Sequence, residues 1–340
     1  MITKTNPELP TRYYIRDICI QPCVVLAPME GVTNLVFRRL IRQIGGMGLS
    51  YTEFVAAKAL QSRGKKVLDY IQFDPDEKPI AIQIYGRDPA VMARAAKVAQ
   101  DVGASIVDIN MGCPSKKVCS NSGGSALMKE PEHAIKIVKA VREAISIPLT
   151  VKMRSGFDYT NRNAPQLAYM CQEEGCEGIT IHWRTTADKY AGTRQVDKIA
   201  ETCQKLSIPV IGNGDVVDIP SALKMFHDTG CDGVMVGRGA MRNPWCLRQI
   251  GQHLMGQEVM SVTPAERKRI LLAFLMNHYD KFQHEKPALG KFKQIAKYFC
   301  LGLPNGKEFR KKLLTTQSIE EVVFHVQDYF HLAANWMEAS

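Results

Sequence analysis

The sequence predicts an α/β chain: a (β/α)8 TIM barrel followed by a smaller C-terminal all-α helical domain. Short apolar runs of strand length recur about eight times at a spacing of roughly 30 residues, the length of one strand–helix unit. Several runs, such as "IAIQIY" at 80–85 and "GVMVG" at 233–237, are apolar at successive positions rather than alternating. Strands buried on both faces of a parallel sheet have that composition. Beyond about Thr263 the strand signal stops and only helical periodicity remains.

In chain order, residues 1–22 form a polar, proline-bearing lead-in, "MITKTNPELP" at its start, which lacks the apolar stretch of a signal peptide. The barrel is expected over 23–258. Its strands are Val24–Pro28, Leu49–Phe54, Ile80–Tyr85, Ser105–Asn110, Leu149–Arg154, Gly178–His182, Pro209–Gly212 and Gly233–Gly237. Amphipathic stretches separate them, "PAVMARAAKVAQDVGAS" and "EHAIKIVKAVREAISIP" among them, and Gly103, Gly175 and Gly230 close helices in the left-handed conformation. An open doubly wound sheet is the alternative, disfavoured because no GxGxxG follows the first strand. The helical domain is expected over 259–340. Thr263 caps its first helix, Pro264 takes the first helical position and Glu266 completes the capping pattern.

Composition narrows the function classes. Hydrophobic residues make up 45% and charged residues 23%, ordinary for a globular protein. No apolar run approaches the roughly 18 residues of a membrane helix, so no membrane association is expected. The 10 cysteines are scattered without a CxxC pair, which argues against a zinc site and for a reducing cytoplasm. The net charge of +10 suits a nucleic-acid partner. It is concentrated: between Lys281 and Lys312 nine Lys or Arg face only Glu285 and Glu308, a local net of +7.

Active sites of such barrels form at the C-terminal ends of the strands. There the chain places Pro28, Met29 and Glu30, then Glu53, Gln83, Asn110 with Cys113 just beyond, Lys152 and Arg154, His182 and Arg184, Asn213-Gly214-Asp215, and Gly237-Arg238. Polar side chains in apolar strands cost free energy unless they meet a partner. The glycine-bearing turns "GNGD" and "GRGA" bring backbone N–H groups to a phosphate, with Arg238 alongside. Gln83, Asn110, Lys152 and His182 offer hydrogen bonds to a flat heterocycle, and a lysine there stabilises the negative charge of a reduced flavin. The residues alone point to a flavin mononucleotide site.

"LAPMEGVTN" (26–34), "DINMGCPSKKV" (108–118), "GGSALM" (123–128), "VKMRSG" (151–156), "IPVIGNGD" (208–215) and "VGRGAMRNPW" (236–245) together resemble the tRNA-dihydrouridine synthases, nearest to the bacterial B-type enzymes. The resemblance runs from about Ile18 into the helical C-terminus. It implies an FMN-bearing barrel with a helical tRNA-binding domain, reducing the C5=C6 bond of tRNA uridines to 5,6-dihydrouridine with NADPH as reductant. It makes Cys113 the catalytic residue. It assigns FMN to Pro28, Met29, Glu30, Gln83, Lys152 and His182, with Asn213, Gly214, Asp215, Gly237 and Arg238 at the phosphate end. Substrate contacts are expected from Asn110, Arg154, Arg184, Lys116 and Lys117, and from Lys291, Lys293 and Lys297 in the helical domain. The Gly123-Gly124 pair is expected to be the hinge of a closing loop, and the protein a cytoplasmic monomer without metal. Two positions depart from the family: Glu30 where "PMAG" is common, and Trp183 where "IHGRT" is common, the latter expected to narrow the RNA channel or stack on RNA. The rival readings are an FMN barrel oxidoreductase for a small pyrimidine, and an RNA-binding protein without catalysis.

Overall fold

Strand-length runs that are apolar on both faces bury themselves most completely by closing into a ring, and the chain does so. The computed structural model describes residues 9–338 except 63, 121–122 and 190. Eight parallel strands, β1 (Val24–Leu26), β2 (Leu49–Tyr51), β3 (Ile80–Tyr85), β4 (Ile106–Met111), β5 (Leu149–Arg154), β6 (Ile179–His182), β7 (Val210–Asn213) and β8 (Gly233–Val236), pair in sequence. β8 pairs with β1 through Val236↔Leu26, and β2 with β3 through Tyr51↔Ala81, so no edge is left. Helices α1 (Leu35–Ile44), α2 (Pro89–Asp101), α3 (Pro131–Ala144), α4 (Ala164–Glu173), α5 (Asp197–Lys205), α6 (Ile219–Thr229) and α7 (Cys246–Leu254) surround the ring. Gly103, Gly175 and Gly230 take φ of +91°, +84° and +67°, the backbone that turns each helix back toward the next strand.

Three features differ from expectation. β1 ends at Leu26 rather than Pro28, because proline has no N–H to extend the ladder. β2 ends at Tyr51 rather than Phe54, and a separate short strand, Val55–Ala56, pairs with the end of β3. The described part of the lead-in belongs to the barrel: Tyr13–Ile15 and Ile18–Ile20 form an antiparallel hairpin with Ile15 and Ile20 fully buried. The hairpin floors the ring at its N-terminal end. A Cβ at Gly233 would come within 2.7 Å of the Tyr13 ring, and one at Gly178 within 3.7 Å of Ile15.

A buried ion pair fixes the loop after β1. Arg38 of α1 donates from Nε to Glu77 (2.7 Å), from Nη1 to the Thr33 carbonyl (2.8 Å) and from Nη2 to the Gln72 carbonyl (2.6 Å). Both ionic partners are 1% exposed, and at that depth a charge persists only when paired.

The C-terminal unit is all helix, as expected: α8 (Pro264–Phe282), α9 (Glu285–Phe299), α10 (Gly306–Thr315) and α11 (Ile319–Glu338). Thr263 caps α8 by accepting the Glu266 N–H at 3.1 Å. The Glu266 carboxylate, expected back at the cap, turns instead to the barrel. It accepts from Trp245 Nε1 (2.9 Å) and from Arg248 Nη1 and Nη2 (2.6 and 3.1 Å). The Trp245 indole is buried with its edge on Phe299 of α9, ring centroids 5.6 Å apart, so barrel and helical domain share apolar contact at this seam.

Replacing Glu266 by Ala leaves the Trp245 and Arg248 donors without their acceptor at a largely buried seam. We expect a loss of about 2 kcal/mol in urea unfolding, and a smaller loss for Glu266→Gln, which keeps one acceptor.

Candidate active site

The C-terminal ends of β3 to β8 gather the polar residues into one ring, in the register that parallel pairing sets: Asn110 opposite Lys152, Arg154 opposite His182, and His182 opposite Asn213. Lys152 Nζ donates to Asn213 Oδ1 at 3.0 Å, and Asn213 Nδ2 donates to the Met235 carbonyl at 2.8 Å, which orients the amide. Both Lys152 and His182 are surrounded by protein on all sides but the mouth. Burial, reinforced by Arg154, lowers the Lys152 pKa to about 8. Burial and the cations Lys152, Arg154, Arg184 and Arg238 push the His182 pKa well below its usual value, so the imidazole is neutral. Its Nδ1 accepts the Arg184 N–H at 3.1 Å, which leaves the proton on Nε2 as a donor.

Cys113 sits half-buried just past β4. Asn110 Oδ1 holds it by accepting the N–H groups of Gly112 (3.0 Å) and Cys113 (2.9 Å). The Cys113 carbonyl accepts from Ser125 N–H (3.1 Å) and from the Cys119 thiol (3.4 Å). Of the Gly123-Gly124 pair, expected as a hinge, Gly124 packs directly against the cysteine. Gly124 has φ +57°, and a Cβ there would come 2.7 Å from the Cys113 carbonyl oxygen and from Val118. Only glycine lets the loop press against the cysteine.

At the far side of the mouth, Asp215 accepts both terminal nitrogens of Arg184 (3.0 and 2.9 Å) and one of Arg238 (3.4 Å). Asp215 thus ties two guanidinium groups to the turn after β7, while Gly214, with φ +114°, presents backbone. Gly237 lies beside the β1 loop, where a Cβ would sit 3.8 Å from Met29 Sδ. Pro28 and Met29 are half-buried and Glu30 is exposed. The adjoining Gly31 N–H is accepted by the Glu53 carboxylate, whose pKa burial raises.

Several expected substrate contacts are turned onto the protein. The Arg184 guanidinium stacks 4.0 Å over the Trp183 ring and donates from Nε to the Ala191 carbonyl (2.7 Å). Trp183 is 2% exposed, beneath Gly214 rather than in a channel, because the indole fills the space where a Gly214 side chain would stand. Arg154 donates to the carbonyls of Gly112 (2.8 Å) and Thr185 (2.7 Å), bracing the cysteine loop against the turn after β6. Lys293 donates to the Thr316 carbonyl at 2.5 Å, closing the end of α10. Lys116 and Lys117 are exposed on the short helix Lys116–Cys119, Lys297 lies 5.0 Å from the Tyr298 ring, and Lys291 faces a cleft. That cleft, of about 300 Å³, opens between barrel and helical domain, with Glu30, Glu53 and Asp69 on one wall and His278, Lys281 and Lys291 on the other. Sequence reasoning missed Asp108, fully buried beneath the ring; an aspartate at an inward position of an apolar strand was the available signal.

The donor set fits a flat, acceptor-rich, anionic ligand. Lys152, His182 Nε2–H and Arg238 are donors, the glycine turns offer backbone N–H groups, and the buried Trp183 Nε1 beside Gly214 has no partner among the described residues. Among those residues no group of three or more His, Cys, Asp or Glu could hold a metal ion.

The closed parallel barrel and its donor-lined mouth define a ligand-binding (β/α)8 barrel. The histamine dehydrogenase of Rhizobium sp. 4-9 superposes with a TM-score of 0.54 at 13% identity, covering 80% of this chain and 51% of that one, a likeness of fold alone. The family model described as "Dihydrouridine synthase (Dus)" matches residues 25–334. A probable tRNA-dihydrouridine synthase of Rickettsia conorii is 38% identical over 301 residues, 87% of this chain and 89% of the relative. The tRNA-dihydrouridine synthase B of Pseudomonas aeruginosa is 34% identical over 307 residues, 90% and 92% of the two chains. The chain belongs to the dihydrouridine synthase family, whose members are FMN-dependent oxidoreductases.

His278 in the cleft wall supplies a pH test. Burial, with Lys281 and Lys291 nearby, lowers its pKa from 6.5 to about 4. The unfolded chain therefore binds the extra proton between those values, and stability falls as pH drops through that window. Wild type should lose about 3 kcal/mol more than His278→Phe between pH 7 and pH 4, read from urea midpoints at the two pH values.

Proposed function

We propose that this protein reduces the C5=C6 bond of uridines in tRNA to 5,6-dihydrouridine, with FMN in the barrel mouth and NADPH as the reductant. The observation that carries the reading is the Cys113 thiol, half-buried at the barrel mouth and anchored there through its own N–H by Asn110. When bound, FMN would supply the hydride for C6 of the uracil, and NADPH would be its reductant. Cys113 protonates C5 from the opposite face, a task for the thiol form. Pro114 and the Gly124 contact keep the sulfur in place during that transfer. Lys152 would supply the positive charge beside the ring, with Gln83 and His182 lining it and Pro28, Met29 and Glu30 at its border. The turns Asn213–Asp215 and Gly237–Arg238 hold the phosphate end, with Arg184 bracing Asp215.

A base stacked inside folded RNA reaches this pocket only if turned out of its stack. The exposed Lys116 and Lys117, with Lys291 and Lys297, grip phosphates on either side of the mouth, so recognition rests on tRNA shape. The protein acts as a monomer, and its ten free cysteines support a reducing, cytoplasmic setting. Among the described residues no helix is long and apolar enough to cross a membrane.

Cys113→Ala should load flavin as wild type does and lose roughly 10²–10⁴-fold in dihydrouridine formation. Unchanged turnover, measured by mass spectrometry of tRNA, refutes the acid role. A paired change, Lys291→Glu with Lys297→Glu, should weaken tRNA binding and flatten its dependence on salt by about one unit of log–log slope per lost phosphate contact. Lys293 is left out because its ammonium closes α10.

A further inference from the structure

We propose that Asp108 is a positioning residue: through the amides of Gln83 and Asn110, its carboxylate sets where Cys113 sits and which group Asn110 can offer to substrate. The inference rests on the proposed role of Cys113, and it deepens that role. Asp108, Gln83 and Asn110 lie on adjacent positions of β3 and β4 and are 0%, 0% and 5% exposed. Asp108 accepts Gln83 Nε2 at 2.6 Å and the Thr150 hydroxyl at 2.6 Å. Gln83 Oε1 accepts Asn110 Nδ2 at 2.8 Å, and Asn110 Oδ1 accepts the two backbone N–H groups that place Cys113.

The chain has a direction. One end is a carboxylate, which as an anion only accepts; the other is a pair of backbone N–H groups, which only donate. Turning Gln83 over would set its carbonyl against the carboxylate, and turning Asn110 over would set its NH2 against two N–H groups. Each alternative leaves buried polar groups unpaired. With Asp108 as acceptor, both amides therefore have a single orientation. Two N–H groups occupy Asn110 Oδ1, and one N–H of Nδ2 is given to Gln83. Its remaining capacity is one N–H donor, so a pyrimidine read by Asn110 must present an acceptor there: a uracil carbonyl suits it, a cytosine amino group does not.

The test is a double-mutant cycle of Asp108→Leu and Asn110→Ala, read as kcat and KM on tRNA and, without tRNA, as the rate of Cys113 alkylation by iodoacetamide followed by peptide mass spectrometry. Asp108→Leu should lower kcat about tenfold or more and shift the alkylation rate, with KM and flavin loading near wild type. In the Asn110→Ala background the same change should add nothing further, because the relay is already cut. Asp108→Asn should be close to wild type, since its carbonyl still accepts from Gln83 while the Thr150 hydroxyl turns to accept its NH2. Additive losses in the cycle, or an Asp108→Asn protein as impaired as Asp108→Leu, overturn the proposal. Should Asp108→Leu fail to fold, Asp108→Ser, too short to reach Gln83, takes its place in the same cycle. A wild type that forms no dihydrouridine defeats the proposed function, whereas the alkylation cycle still decides the relay.

Discussion

Polar side chains inside a closed apolar ring have nowhere to find water, and most of the site follows from how this barrel answers that constraint. Because every strand runs the same way, the polar residues near the strand ends converge on one mouth. There they pair with each other before they meet any ligand: Lys152 with Asn213, Asn110 with the Cys113 loop, Arg184 with Asp215. Each pairing removes a desolvation cost and fixes an orientation at the same time. The mouth is thus organised ahead of binding, which is what stabilising developing charge requires.

Charge at the mouth is uneven. Burial, with Lys152, Arg154, Arg184 and Arg238 adding to it, keeps His182 neutral, while Asp215 is the acid bonded to two of the guanidinium groups. The surplus is positive where an anionic cofactor and an RNA backbone would both lie. Burial keeps that surplus from being screened, so it acts more strongly than the same charges on an open surface. The basic helical domain extends the field outward along α9 and α10.

Barrel and helical domain are held together by a seam with one polar lock in it. Glu266 reaches Trp245 and Arg248, and aromatic rings pack around them. The cleft above the seam has acids from the barrel on one wall and bases from the helices on the other.

The barrel and the helical tail were legible in the amino-acid sequence, because strand burial, helix caps and glycine turns are local or periodic signals. The placement of Lys152 and Asn213 at the ends of apolar strands, and of Cys113 just beyond one, was legible too. Chain folding alone decided where each side chain points. Arg184 and Lys293 carry a charge suited to RNA, yet Asp215 and the Thr316 carbonyl lie within reach, and the charges turn there. Trp183 is aromatic enough to stack on a base, yet the gap left by Gly214 buries it. The lead-in hairpin, the inward turn of Glu266 and the Asp108 relay depend on residues far apart in the chain meeting in space. No local pattern encodes such meetings, since the free energy of a polar group is set by its neighbours in three dimensions.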